Sequence, residues 1–172
     1  MLNNGSLAPL AIFLVGTALF GGLAPTAASA QTSGVVFGTP GAVTCCGESQ
    51  STLHVGGGVE GLIGDAVGIG GEIGFLGPWA YFRDGLGVMS VNGSYHFLPH
   101  QPGRRARPFV TTGYSLFFRD EHVNLWNVGG GIDYWVKPRM AVRVELRDHI
   151  HAEDGATVHF WGPRIGVVFR GR

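Results

Sequence analysis

Charge is scarce in this chain. Charged residues make up 14% of 172 positions, against roughly 25% in an ordinary soluble domain. Twelve basic and twelve acidic side chains cancel to a formal net charge of zero. No basic run exceeds Arg104, Arg105 and Arg107. Without a basic field, a nucleic-acid binder that works by electrostatic attraction is excluded. Cysteine is nearly missing as well: Cys45 and Cys46 are the only two, and they are adjacent. That spacing holds no metal, and the preceding residues (AVTCC) form no lipid-attachment box. In an oxidising compartment such a pair can bridge, pair between chains or stay reduced, and a loop feature is the expectation. Helical periodicity is also lacking, since no segment after residue 31 repeats at 3.6 residues. Disorder is excluded by an apolar content of 45% with nil net charge. The length leaves room for one domain.

What is abundant is glycine, at 30 residues, well above the usual ~7%. Aromatics add 11%. High glycine, many aromatics and little charge suit a chain that meets lipid.

Residues 7–24 form an almost unbroken apolar run, LAPLAIFLVGTALFGGLA. Ala28, Ser29 and Ala30 follow, with small residues where signal peptidase reads. A cleavable signal peptide over 1–30 is therefore expected, and export with it. An uncleaved anchor is disfavoured because Gly16, Gly21 and Gly22 interrupt the run. The mature domain is then 31–172.

That domain reads as runs of about ten residues with period two, split by Gly, Pro, Asp or Asn. Seven runs are clear: 52–60, 66–75, 86–97, 108–118, 124–136, 140–149 and 159–169. A weaker one, 34–38, makes eight. Connections at 61–65 and 137–139 read as tight turns. Those at 39–51, 76–85, 119–123 and 150–158 read as longer loops, and 98–107 is Pro-rich and basic. Alternating short and long connections predict an all-β fold, an eight-stranded antiparallel up-and-down transmembrane β-barrel. Ten residues is also the length of a tilted strand that crosses a bilayer.

Alternate side chains face opposite sides of a strand. One predicted face is apolar throughout and includes Val142, Val144, Ile165 and Val167. The other is mostly glycine and small hydroxyls with few charges, a poor soluble exterior but a good crowded interior. The apolar face carries aromatics near the strand ends. Phe75, Phe118, Trp126 and Trp161 fall toward the loop rim, and Tyr95, Phe97, Tyr134 and Phe169 toward the turn rim. Two such girdles match two membrane interfaces. The interior then collects Glu60, Glu72, Asp133 and Glu145 against Arg143, Arg147 and Arg164. Buried charges must pair, so an Arg–carboxylate network plugging the lumen is expected, with Arg164, Glu60 and Glu72 meeting across it.

The eight-run alternation, the phrases LHVGGGVEGLIGDAVGIGGEIGFLGP and GVMSVNGSYHF, and the closing strand WGPRIGVVF carry a resemblance over residues 34–169. They resemble the small outer-membrane β-barrels of the OmpA transmembrane-domain and opacity-porin kind. The resemblance implies a bacterial outer-membrane location, contact with outer-membrane lipid, and insertion by the barrel-assembly machinery. Arg164, Gly166 and Phe169 match that machinery's last-strand signal, while Gly171 and Arg172 depart from it at the end.

Catalysis is not expected. A barrel deacylase carries a His and a Ser two residues apart on a lipid-facing strand; here no His is followed by Ser at that spacing, and Ser90, Ser94 and Ser115 fall on the lumen face. Asp148, His149, His151, Glu153 and Asp154, with His159 nearby, are the densest ligand-type cluster. They lie at a strand end running into a loop, where polar residues are ordinary, so no metal site is assigned. No cofactor motif is present, since the glycine triplets lie inside strand patterns with no helix following. The expected role is structural or surface-interactive, displaying loops at 79–84 and 148–158. The alternatives are a lipocalin-like periplasmic carrier with the apolar face inside, and a narrow pore or lipid A-modifying barrel.

Overall fold

The computed structural model describes residues 31–171, apart from Asp65, His100, Pro102, Asp154, Gly155 and the side chain of Glu153. The signal-peptide expectation for 1–30 lies outside the described residues, as do Asp154 and Arg172.

Eight strands run in chain order: β1 (Gln31–Cys45), β2 (Glu48–Ile63), β3 (Val67–Pro78), β4 (Leu86–His96), β5 (Ala106–Phe118), β6 (His122–Lys137), β7 (Met140–Glu153) and β8 (Ala156–Arg170). Each pairs antiparallel with its sequence neighbour, and β1 pairs with β8 to close the barrel. One rim holds both ends of the barrel and the connections 64–66, 97–105 and 138–139; we call it the termini rim. The opposite, hairpin rim holds 46–47, 79–85 and 119–121, with the end of β7 and the start of β8.

The strands run further than their hydrophobic pattern. Residues 39–51 are not a long loop but the end of β1, a two-residue turn and the start of β2. Cys46 (φ 56°) and Gly47 (φ 85°) both take left-handed conformations, the pattern of a type I′ hairpin turn. Residues 150–158 are likewise mostly strand. The longest connection, 97–105, lies on the tight-turn side as expected for 98–107, whereas 46–47 and 119–121 on the opposite side are short, so the expected alternation of short turns and long loops is corrected there. The pattern fades at 39–45 and 48–51 because neither face there must be apolar; ladder hydrogen bonds alone extend the strands.

The facing of the central strands follows the pleat. Val144 is 54% exposed and Ile165 57% exposed, while Val142 and Val167 also point out. A carrier barrel needs this face inward, and here it is outward. Inward positions are crowded. A Cβ on Gly129 would stand 2.7 Å from Glu145 Oε1 and 2.9 Å from Arg147 Nε, so the missing side chain makes room for that ion pair.

One stretch of the wall is fastened differently. The β1–β8 ladder pairs Ser33–Gly38 with Ile165–Arg170 and Ala42–Thr44 with His159–Trp161. Between them no ladder pairing joins 39–41 to 162–164. Pro40 and Pro163 fall in this interval, and proline brings no N–H to a ladder.

Candidate functional site

The lumen is the place where chemistry concentrates. Arg143 donates from Nε to Asp133 Oδ1 at 2.6 Å and from Nη2 to Asp133 Oδ2 at 2.9 Å. This is a two-pronged guanidinium–carboxylate pair, the strongest common geometry for such ions. Arg143 Nη2 also stands 3.5 Å from Glu60. Glu60 accepts a hydrogen bond from Ser94 and lies 3.4 Å from His96 Nε2. Arg107 faces Asp133 in register and lines the same small void beside it. The three-arginine run is split at the start of β5: Arg104 and Arg105 precede the strand and are exposed, whereas Arg107 lies within it, is buried and donates from Nε to the Leu98 carbonyl at 2.9 Å.

A second set lies nearer the hairpin rim. Arg164 Nη1 donates to Glu72 Oε2 at 2.9 Å, and Arg147 Nη2 lies 3.6 Å from Glu72 Oε1. Arg147 also pairs with Glu145. Through Nη1 it donates to Asn127 Oδ1 at 2.9 Å. The Asn127 amide nitrogen then donates to Asn92 and Ser115, each at 2.9 Å. Ser115 Oγ reaches Ser90 Oγ at 2.8 Å and His149 Nδ1 at 3.0 Å. All seven charged residues anticipated for the interior therefore make ion pairs, but in two sets. Arg164 meets Glu72; Glu60 meets Arg143 instead. The arginines also stack on rings: Arg164 lies 3.8 Å over Phe37 and Arg143 4.3 Å over Phe109, contacts that add attraction where water is excluded.

The sequence reading anticipated an interior of glycine, hydroxyls and charge. The structure adds two apolar clusters. Val35, Phe37, Trp135, Ala141 and Val168 pack toward the termini rim. Leu76, Val88, Phe117 and Leu125 pack toward the hairpin rim, with Leu86 and Phe160 against them. Between these clusters the lumen voids are small. One of about 20 Å³ is lined by Glu60, Glu72, Asn92, Arg143 and Arg147 among others, and another of about 20 Å³ by Thr39, His54, His149, Phe160 and Arg164 among others. Each has room for about one water.

A Ser and a His two residues apart do occur, in the reverse order to that sought: Ser94 and His96. Their contact is 3.4 Å, and both engage Glu60. Ser94 gives its hydrogen to the carboxylate rather than to the imidazole, and His96 Nδ1 has no orienting partner. The pair lacks the nucleophile–base–orienter order of a hydrolase. The expected Asp148-to-His159 cluster also separates. His149 turns into the lumen, His151 bonds the Asn124 carbonyl at 2.9 Å, and His159 bonds Asp148 at 2.8 Å. Among the described residues no three His, Cys, Asp or Glu side chains converge as a metal site.

Outside, most of the aromatics expected at the strand ends are exposed. Tyr95, Phe97, Tyr134 and Phe169 are exposed toward the termini rim, and Phe118, Trp126 and Trp161 toward the hairpin rim. Phe75 is half-buried, edge-on to Phe82 at 5.1 Å. Trp79 and Tyr81, in the 79–85 connection, are 60% and 70% exposed. Cys45 and Cys46 are both free thiols. The hydrogen-bonded neighbour Cys46 raises the Cys45 thiol above its ordinary range, which disfavours a reactive thiolate. Charge also separates along the axis. Arg104, Arg105, Lys137 and Arg139 are exposed at the termini rim, while Glu48, Asp84, Asp120 and Glu121 are exposed at the hairpin rim beside Arg83 and Arg119.

No family model and no curated protein matches the chain. Solved structures do. The N-terminal barrel domain of Pseudomonas aeruginosa OprF superposes with a TM-score of 0.63 at 19% identity, over 82% of this chain and 97% of that one. Neisserial surface protein A gives 0.60 at 10% identity, over 81% and 96%. A de novo designed transmembrane β-barrel gives 0.51 at 17% identity, over 81% and 95%. A designed chain shares the shape, so the shape alone carries no activity. The closed ring of eight antiparallel strands, apolar outside and ion-paired within, has the fold of the small outer-membrane β-barrels.

Proposed function

We propose that this chain is an exported, integral outer-membrane barrel whose role is structural or surface-interactive rather than catalytic. The observation that carries the reading is the outer wall. Its apolar side chains point outward between two rows of aromatics, a surface that water would not tolerate and a bilayer would solvate. Outer-membrane lipid is then the main partner. The barrel-assembly machinery would insert the chain, reading the β8 residues Arg164, Gly166 and Phe169. The Arg–carboxylate sets and the two apolar clusters plug the lumen against solute flow, since an eight-stranded barrel is about filled by its side chains. The 79–85 connection, with Trp79 and Tyr81 exposed, is the surface offered to an external partner.

Expression of the full chain in a Gram-negative host tests this. The expected result is recovery in the outer-membrane fraction, with a band that shifts on boiling before electrophoresis. Recovery as a soluble periplasmic protein with no shift would overturn it. Bilayer conductance above that of an empty membrane would overturn the plug while leaving the location standing.

A further inference from the structure

The basic end of the barrel encloses a cavity. Arg104, Arg105 and Lys137, together with Gln101, Trp135 and Val136, line a half-open space of about 370 Å³ at the termini rim. That is far larger than the lumen voids and within the roughly 300–1,000 Å³ of small-ligand sites. No acid lines it, and none of the three cations pairs with a carboxylate of the described residues.

The backbone holds these charges together. The Arg104 N–H donates to the Gln101 carbonyl at 3.0 Å. Gly103, inside that turn, takes φ 89°, a left-handed conformation that glycine adopts without strain. The Trp135 N–H donates to the Arg105 carbonyl at 2.7 Å, which fastens the 97–105 connection to the end of β6. Arg104 and Arg105 are thereby held at the same cavity as Lys137. Like charges around one space repel, so an anion there relieves a cost that the described acids leave in place.

Depth selects the anion. Tyr134 belongs to the aromatic row exposed toward this rim, and Lys137 follows it by three residues. At about 3.3 Å per residue that is about 10 Å along the strand, and less along the membrane normal because the strand tilts. The headgroup layer beside the hydrocarbon is about 5–7 Å thick, so the cavity opens near the level of lipid phosphates. Toward the hydrocarbon, Val110 and Ile132 are exposed on the paired strands β5 and β6. Both ends of the barrel lie at this rim, where a chain that inserts by its hairpins leaves them, on the periplasmic side and its glycerophospholipid leaflet.

We propose that this cavity binds the phosphate of an anionic glycerophospholipid, gripped by Arg104, Arg105 and Lys137, with the acyl chains lying along Val110 and Ile132. The forked guanidinium groups match phosphate oxygens, and the lysine adds a point charge. The inference rests on the membrane reading above.

The test uses the full chain extracted in detergent from membranes, given phosphatidylglycerol or phosphatidylcholine of matched acyl chains, and weighed by native mass spectrometry. The expected result is one phosphatidylglycerol retained per barrel, several-fold over phosphatidylcholine. Arg104→Gln with Lys137→Gln should lose that preference several-fold. Arg83→Gln with Arg119→Gln, at the opposite rim, should keep it. Equal retention of the two lipids by the unaltered chain would overturn the site, as would a preference unchanged in the first double variant. Displacement of the retained lipid by inorganic phosphate at constant ionic strength would make a free anion the ligand and overturn the lipid assignment. The band shift on boiling reads the membrane fold separately: its absence from the unaltered chain sinks the membrane reading and this inference with it, whereas its presence without lipid preference sinks the site alone.

Discussion

The two halves of the lumen use the same residue types to different ends. Toward the termini rim, Arg143 grips Asp133 with two hydrogen bonds and reaches Glu60, which Ser94 and His96 also hold. Toward the hairpin rim, Arg164 grips Glu72 once, and its Nε and Nη2 make no hydrogen bond to another described residue. A fully satisfied buried pair braces the wall, whereas donors left unspent reduce what a pair contributes. Charge burial alone therefore does not say how much a pair stabilises. The count of unspent donors does.

The comparison is broken first at its strongest member. Arg143→Leu strands Asp133 in the interior, and breaking a buried pair from one side costs about 3–5 kcal/mol; urea unfolding in detergent should show a midpoint lowered accordingly. Arg164→Leu should cost less, about 1–3 kcal/mol, because Glu72 keeps Arg147 and the mutation removes two unsatisfied donors. Equal losses for the two variants would erase the distinction between the halves. Gly129→Ala presses on the Arg147–Glu145 pair and should cost about 1–3 kcal/mol, read by the same midpoint. Cys46→Asn, in the left-handed turn position, should raise stability by about 0.5–1 kcal/mol, since asparagine visits that conformation more readily. Thr112→Val, on the outer wall, should move the midpoint by no more than about 0.5 kcal/mol; a larger loss would mean that its hydrogen bond to the Asn127 carbonyl matters more than its exposure suggests.

The central barrel was readable because a wall between lipid-like and polar surroundings imposes period two on every strand that crosses it. The interior charges were readable for the same reason: Arg143, Glu145 and Arg147 alternate with Val142, Val144 and Leu146. Where both faces are apolar, as at Phe117 and Phe118, the period vanishes, and with it the sign of the lid formed by Leu76, Val88, Phe117 and Leu125. Arg107 was hidden by its neighbours. Three arginines in four positions look like one solvated cluster, and only the start of β5 at Ala106 separates Arg107, inside the strand and buried, from the two before it. The partnering of Glu60 with Arg143 rather than Arg164 depends on stagger between distant strands, which no local pattern encodes. The polar extensions of β1 and β2 were missed because proline and cysteine at 40, 45 and 46 read as loop, yet Pro40 sits in a strand at the seam.

That seam sets an order in time. Seven of the eight strand pairs join sequence neighbours, while the eighth joins the two ends of the barrel and carries the largest loop-closure entropy. Its middle rungs are missing as well. The cylinder should therefore zip from hairpin to hairpin, shut last between β1 and β8, and reopen there first. Amide hydrogens bordering Pro40 and Pro163 should exchange soonest of any in the wall, giving an outwardly uniform ring a single line along which it breathes.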